Sequence, residues 1–438
     1  MKPNYSIFLF LAFQPFVFSS CSDSVQEELK EPEEITNNVL PNDQFSVIKG
    51  ETTSNIRLER NEETINNSFN NFSLRFFKAV SKDINNNIAV SPVSNCFALA
   101  MMANVCDEDY EKSVCDAFGC DNISSLNTLC HKLMMYLPNE YAYSDVSIAN
   151  SVWHAPYLLP TDNFTAQMNE KYYADIVPID FSVPQAADTI NLWVDKKTNG
   201  MIKDFVDFSK ICGADFMALN VLYFNGGWWT PFDKKNTRKA TFSGSEKQSE
   251  VDFMNLTEKL PYCKSEFGEW IYLPYSGGTY NLILALPDHN RSIEEFLQEF
   301  DPAYLSGKNI AYISDKIIAA EPEVNLSLPK FNISTEIFCD KYFGELGIAQ
   351  VSKGFKGMEE PANDLSHDLH ILHKTVMNID EEGSSAASAS ANVSIIFSGE
   401  ETAEDLTHVD LKFNRPFVYF ICNTKTGSIM IAGKVTQL

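Results

Sequence analysis

The sequence predicts a single α+β domain over residues 63–438, and three observations carry that reading. Phe69, Phe72, Phe76, Phe77 and Val80 recur at helical spacing and define an amphipathic first helix. Phe216–Phe224 is an apolar run broken only by Asn220, as expected of a central strand buried on both faces. Val324, Leu326 and Leu328 alternate with Asn325 and Ser327, the pattern of a half-buried strand. No repeat and no linker divides residues 65–438, so the helical and strand-like segments belong to one unit.

The elements follow in order. Residues 1–20 carry one early cation, Lys2, and an apolar stretch from Ile7 to Phe18 that Gln14 and Pro15 interrupt. It is too short and too broken for a membrane helix and reads as a secretory signal. Phe18-Ser19-Ser20-Cys21 resembles a relaxed bacterial lipoprotein cleavage box, in which Cys21 becomes the lipidated first residue of the mature chain. Residues 21–62 include Glu27, Glu28, Glu31, Glu33 and Glu34 with Pro32 and Pro41, and sustain no apolar period; they read as an acidic tether. Helical segments then run to about residue 135, followed by alternating strand-like and helical stretches. Phe417–Cys422 and Ser428–Gly433 form a closing pair of strands joined at Asn423–Gly427.

Composition narrows the function. The 34 basic and 59 acidic residues leave a net charge of −25, a field that repels phosphate backbones and excludes nucleic acid as the expected partner. Ten cysteines without a CxxC pair are too sparse for a disulfide scaffold, and several, such as Cys96 and Cys422, lie in apolar runs.

No GxSxG, HExxH, GxxxxGK[ST] or GxGxxG occurs, so no catalytic or nucleotide-binding arrangement is expected. His367, His370 and His373 would share a face on a helix and could then ligate a metal. Ile371, Leu372, Val376 and Ile379 instead mark an extended segment, which turns His370 away from the other two; no metal and no cofactor is expected. Adjacent Cys130 and His131 are not a dyad, because such pairs meet in space rather than in sequence.

The most informative stretch is Gly383-Ser-Ser-Ala-Ala-Ser-Ala-Ser-Ala391, set between the acidic pair Glu381, Glu382 and the apolar triplet Ile395, Ile396, Phe397. A flexible Ser/Ala linker has this composition, yet so near the end of one domain it connects nothing. A loop that must become a β-strand also has it, because small side chains slip between existing strands.

Several further segments, in the right order, carry a resemblance to the serpins over essentially all of residues 65–438. Asn87-Ile-Ala-Val-Ser-Pro-Val-Ser94 is similar to the family's strand leading into a helix under the main sheet. Asn191–Asp204 is similar to the helix and turn that cross that sheet, and Leu219–Trp228 followed by Pro231-Phe232 to the strand ending in the family's tryptophan. Leu328–Phe331, His373–Gly383, Phe413–Phe417 and Gly433–Val435 match further strand motifs. The resemblance implies a metastable fold of three sheets and eight or nine helices, with an exposed reactive-centre loop at about residues 381–412. It implies that a protease attacks the loop and forms an acyl-enzyme, and that the cut loop then inserts into the main sheet and drags the protease with it.

The resemblance also assigns roles. Gly383, Ser384, Ser385, Ala386, Ala387, Ser388 and Ala389 form the loop hinge, small and uncharged as insertion demands. If Ser384 faces inward, so do Ala386, Ser388 and Ser390. Counting from Glu381 places the reactive bond at Phe397–Ser398, with Ile396 and Ser398 as alternative bait positions because the loop is long. Glu381, Lys330 and Trp228 surround the point where the loop enters the sheet, and Ser91, Ser94, Asn220 and His373 form a polar cluster beneath its centre.

The resulting expectation is a non-enzymatic, irreversible suicide-substrate inhibitor. Its expected partners are chymotrypsin-like or subtilisin-like serine proteases, cationic ones included. A monomer is expected, secreted and held at a membrane surface through lipidated Cys21. A non-inhibitory binding protein on the same scaffold and an inhibitor of papain-like cysteine proteases remain open as alternatives.

Overall fold

The computed structural model describes residues 53–138, 144–301, 305, 318–350, 354–359, 371–384 and 407–438. The chain opens with α1 (Arg60–Asp83), β1 (Ile88–Val90), α2 (Pro92–Val105), α3 (Glu108–Phe118) and α4 (Ile123–Tyr136). It continues through β2 (Ser144–His154), β3 (Leu159–Pro160), α5 (Asp162–Gln167), β4 (Asp175–Pro178), α6 (Gln185–Lys197), α7 (Phe208–Ile211) and β5 (Phe216–Gly226). Five strands follow: β6 (Arg238–Ser243), β7 (Gln248–Lys259), β8 (Tyr262–Ser265), β9 (Gly268–Pro274) and β10 (Tyr280–Pro287). Then come α8 (Ile293–Glu299), β11 (Ile318–Ala320), β12 (Glu323–Pro329), β13 (Phe331–Phe338), α9 (Asp340–Glu345), β14 (Met358–Glu359) and β15 (Leu372–Ile379). The chain closes with β16 (His408–Lys412), β17 (Phe417–Asn423) and β18 (Ile429–Val435).

Each predicted element has a physical basis in the structure. In α1 the residues at helical spacing are buried, and Phe77 packs edge-on to Phe420 at 5.5 Å. The folded unit reaches back past the boundary expected at residue 63. Glu59 and Glu62 form a capping box that starts α1 at Arg60, Ile56 is buried, and the Thr53 amide donates to the Met135 carbonyl at 2.9 Å. Helix α2 is apolar all round and lies almost wholly inside, its Pro92 at the first turn where an amide donor is dispensable.

The strands make three principal sheets. An antiparallel seven-stranded sheet has the order β1-β18-β17-β10-β9-β8-β11, and a four-stranded sheet runs β16-β12-β7-β6. The third consists of two pieces, β4-β2-β5 and β13-β15. Among the described residues no ladder joins β5 to β15. The pieces share an apolar core under α6, where Ile190, Trp193 and Val194 pack with Met217, Leu219 and Val221 of β5 and with Leu372 of β15. A two-residue ribbon, β3-β14, stands apart. The expected α+β architecture holds, with nine α-helices among the described residues, but the strands there form five hydrogen-bonded sheets rather than three because β4-β2-β5 and β13-β15 stand parted and β3-β14 is separate. No described helix is long and apolar enough to cross a membrane.

Candidate functional site: a parted sheet and its entrance

β5 pairs with β2 over eleven positions, from Ser144 opposite Gly226 to His154 opposite Phe216, and most of its residues are buried. β15 pairs with β13 over eight positions. A strand buried on its faces but lacking a ladder on one edge has amide and carbonyl groups that want a partner, because unpaired buried backbone is costly.

The chain leaves the end of β15 at that open edge and turns back. Asp380 and Gly383 exchange backbone hydrogen bonds at 3.1 and 3.3 Å, closing a turn over Glu381 and Glu382. Gly383 bridges Asp380 on one side and Gly227 on the other, antiparallel to both. The Ser384 amide then donates to the Gly226 carbonyl at 2.8 Å. The residues that follow β15 are therefore set as the first rung of a strand between the two pieces.

Only glycine fits at position 383. Its φ is +136°, and a Cβ there would stand 2.1 Å from the Gly226 carbonyl oxygen and 2.8 Å from the Gly227 Cα. Ser384 is buried, and its hydroxyl lies 2.9 Å from the phenol oxygen of Tyr275, whose pKa burial pushes up. Its side chain faces the interior.

The turn is fastened from outside. The Trp228 indole donates to the Asp380 carbonyl at 2.9 Å, and its ring stacks on Tyr275 at 4.8 Å. The Trp228 amide donates to the Glu382 carbonyl and the Phe232 amide to the Glu381 carbonyl, both at 3.1 Å. Lys330 Nζ donates to Glu381 at 2.7 Å and the Thr237 hydroxyl does so at 2.8 Å. Burial raises the Glu381 pKa, but these two donors outweigh it and hold the carboxyl below its ordinary range. Glu382 pairs with Lys234 at 2.5 Å on the exposed side.

Beneath the sheet, three of the four expected polar residues meet. Ser91 and Ser94 hydroxyls lie 2.8 Å apart, and the Ser91 amide donates to His373 Nε2 at 2.9 Å. The Thr375 hydroxyl also reaches that nitrogen at 2.8 Å. Burial lowers the His373 pKa to about 4, and the Ser91 N–H aimed at Nε2 requires an unprotonated ring there. Asn220 stands apart from this trio. Its amide donates to Asn150 Oδ1 at 2.6 Å, and its own Oδ1 is buried with no hydrogen-bond partner among the described residues. The reason is the parting of the sheet: Asn220 is on β5 and His373 on β15, and no ladder draws them together.

Tyr275, Thr237, Asn150 and Thr375 belong to this site and were not foreseen. Tyr275 and Thr237 stand more than a hundred residues from Ser384 and Glu381, and Asn150 seventy from Asn220, so only the fold brings them in; Thr375 lies inside the His373–Gly383 motif, two residues from His373, and alternation on its strand puts both side chains on one face. His373 is engaged with Ser91 and Thr375; His367 and His370 lie outside the described residues. So do Cys21, Ser385, Ala386, Ala387, Ser388, Ala389, Phe397 and Ser398. No group of three or more metal-ligating side chains forms among the described residues.

Comparison with known proteins accords with this geometry. Residues 67–438 match the family model described as serpin (serine protease inhibitor). Iripin-5 of Ixodes ricinus is 27% identical over 388 residues, covering 84% of this chain and 93% of that protein. A serpin-like protein of Methanosarcina acetivorans is 26% identical over 363 residues, covering 80% and 81%. The native-state crystal structure of the thermophilic serpin tengpin superposes with a TM-score of 0.73 at 29% identity, covering 89% of this chain and 98% of that one. With the family model spanning most of its length, and with the same fold in a structure of 29% identity, the chain belongs to the serpin family.

Proposed function

We propose that the protein is an irreversible suicide-substrate inhibitor of chymotrypsin-like serine endopeptidases. The observation that carries this reading is the entrance itself: Gly383 bridged to Asp380 and Gly227, with Ser384 buried against Tyr275. A chain that enters there and continues with Ser385-Ala-Ala-Ser-Ala389 meets no bulk and no charge, so it can extend as a strand along the unpaired edges of β5 and β15. Each backbone hydrogen bond gained contributes about 1 kcal/mol net, and an inserted strand bonds on both sides. Insertion after cleavage is thus strongly downhill, and it outruns hydrolysis of the acyl-enzyme only if nothing in the hinge slows it.

Phe397 is the bait residue in this reading, with Phe397–Ser398 the bond attacked; an aromatic side chain suits the apolar specificity pocket of chymotrypsin-like enzymes. The same reading makes the molecule a secreted inhibitor tethered by lipid on Cys21 through the acidic segment that follows.

Intact-mass spectrometry of the full chain mixed with chymotrypsin tests the proposal. A covalent adduct that releases a fragment beginning at Ser398 is expected. Complete cleavage without an adduct would make the protein a substrate on an inhibitor scaffold and overturn the reading.

A further inference from the structure

Helix α3 ends in Cys115-Asp-Ala-Phe-Gly-Cys120. Gly119 adopts a left-handed φ of 63° and its amide donates to the Asp116 carbonyl at 3.3 Å. The Cys120 amide reaches back to the Cys115 carbonyl at 2.9 Å. These two bonds define the glycine-terminated cap in which the side chains at the ends of the outer bond rest against each other, ordinarily as an apolar contact. Here both ends are cysteine. The bond from the Cys120 amide to the Cys115 carbonyl also limits the separation of their α-carbons to about 6.8 Å, inside the roughly 4.4–6.8 Å that a disulfide spans. The Cys120 sulfur lies 3.5 Å from the Cys115 carbonyl oxygen, so it is turned toward the residue it would join.

Reagent can reach the pair. Cys120 is partly open to solvent, whereas Cys115 is 6% exposed beneath it. The neighbouring Cys120 thiol draws the Cys115 pKa below its ordinary value, against burial and the carboxylates of Glu111 and Asp116. The Lys356 ammonium assists.

We propose that Cys115 and Cys120 are a reversible dithiol–disulfide site, oxidised by exchange with a small soluble disulfide. One cysteine thiolate attacks a sulfur of the small disulfide, forming a protein mixed disulfide and expelling one small thiolate. The other cysteine, as thiolate, attacks the protein sulfur of that mixed disulfide, closes the Cys115–Cys120 bond and expels the second small thiolate. The protons of the two cysteines end on the two released thiols, so two cysteines are oxidised and one small disulfide is reduced. The site lies outside the inhibitory machinery and does not rest on the proposed function. Its position gives the bond a structural effect. Phe118, inside the closed ring, packs on Phe69 at 4.4 Å and Phe72 at 5.1 Å of α1, and Gly119 backs onto Ser68. Closing the ring fixes the turn that seats α3 on α1.

The test uses the full chain, oxidised glutathione as the probe, and quenching with N-ethylmaleimide after exposed Cys212 has reacted. Residues 113–132 also contain Cys130, so fragment ions between positions 120 and 130 assign the bond. The expected product lacks about 2 Da, resists alkylation at both Cys115 and Cys120, and is returned to two thiols by dithiothreitol. The thermal midpoint should rise on oxidation in the parent and stay unchanged in Cys120→Ser, which also keeps Cys115 alkylatable. Glutathione retained on Cys120 with Cys115 free, both thiols free once Cys212 is modified, or a bond to Cys130 would each overturn the proposal.

Discussion

Lys330 and Glu381 meet at 2.7 Å at the mouth of the parted sheet, where the carboxylate is nearly buried and the ammonium is about two-fifths exposed. The pair joins the end of β12 to the turn after β15, so it fastens the entrance turn to the four-stranded sheet. With Thr237 as a second donor, Glu381 has both carboxylate oxygens engaged. Glu381→Gln should destabilise the domain by about 1.5–3 kcal/mol, the range for hydrogen bonds to charged groups. The sign with pH follows from the depressed carboxyl. Its stabilisation is complete above the ordinary value of 4.5 and is lost as pH falls through the lower folded value. Urea unfolding of the parent and of Glu381→Gln between pH 3 and 6 should give curves that converge in acid; a constant offset would refute the charged pairing.

His373 governs a different window. Its folded pKa of about 4 lies below the ordinary 6.5, so the neutral ring is favoured in the fold. Stability is complete above pH 6.5 and declines as pH falls toward 4, by about 3 kcal/mol in all. His131 and His154 are lowered by burial as well, so His373→Gln should remove the largest share of the slope between pH 6.5 and 4.5 rather than all of it. An unchanged slope would mean that the ring is already solvated in the fold.

At Gly383 the backbone leaves no room. Gly383→Val should cost about 1–3 kcal/mol in strain alone, with displacement of the Gly226 carbonyl in addition. The number of inhibitor molecules consumed per protease trapped should rise well above that of the parent. A valine variant with parental stability and parental stoichiometry would show that the turn is not held in this conformation when the loop moves.

Ser384→Arg should convert the inhibitor into a substrate. The serine hydroxyl is buried against Tyr275, and a guanidinium there would lose its hydration without an acidic partner, a cost of several kcal/mol. Cleavage by chymotrypsin should continue while the covalent complex disappears from gels. Complexes formed at parental stoichiometry would contradict the inward-facing placement.

Beyond the proposed bond stand Glu400, Glu401, Glu404 and Asp405, within a chain of net charge −25. An aromatic bait with this flank should capture a cationic chymotrypsin-like protease faster than a neutral one, and the advantage should shrink as salt shortens the screening length from about 8 Å at ~0.15 M. Amide replacements at the four positions should flatten the salt dependence and leave cleavage after Phe397 in place. Stopped-flow association rates insensitive to salt in the parent would remove any steering role.

The sequence was most legible where one period ran unbroken. The phenylalanines of α1, the apolar run of β5 and the alternation in β12 each state their element directly, because burial on a helix face or a strand face repeats at a fixed interval. Glu381, Lys330, Trp228 and Ser384 could be located because motif segments contain them. Tyr275 could not: it opens the turn between β9 and β10, and only the stacking of Trp228 and the return of the chain after β15 give it a serine to bond. The start of the folded unit is not legible in the sequence, because Ile56 is a single apolar residue in polar surroundings and the Glu59–Glu62 capping box replaces the usual serine or threonine with a second carboxylate.

Because Ser384 is pinned at Gly226, the cut loop has a fixed origin from which its usable length is counted. A cut after Phe397 leaves thirteen residues beyond Ser384, which extended would reach roughly 43 Å. The eleven residues of β5 offer an edge of roughly 36 Å. Moving the cut by one residue changes the tail by only about 3.3 Å, so cleavage after Ile396, Phe397 or Ser398 still yields a strand that overruns the edge. A protease that cuts within the alanine–serine stretch leaves a tail too short to span it. Under the proposed insertion mechanism, several bait positions near Phe397 would serve equally, and captors would differ from mere degraders by how far from the glycine they cut.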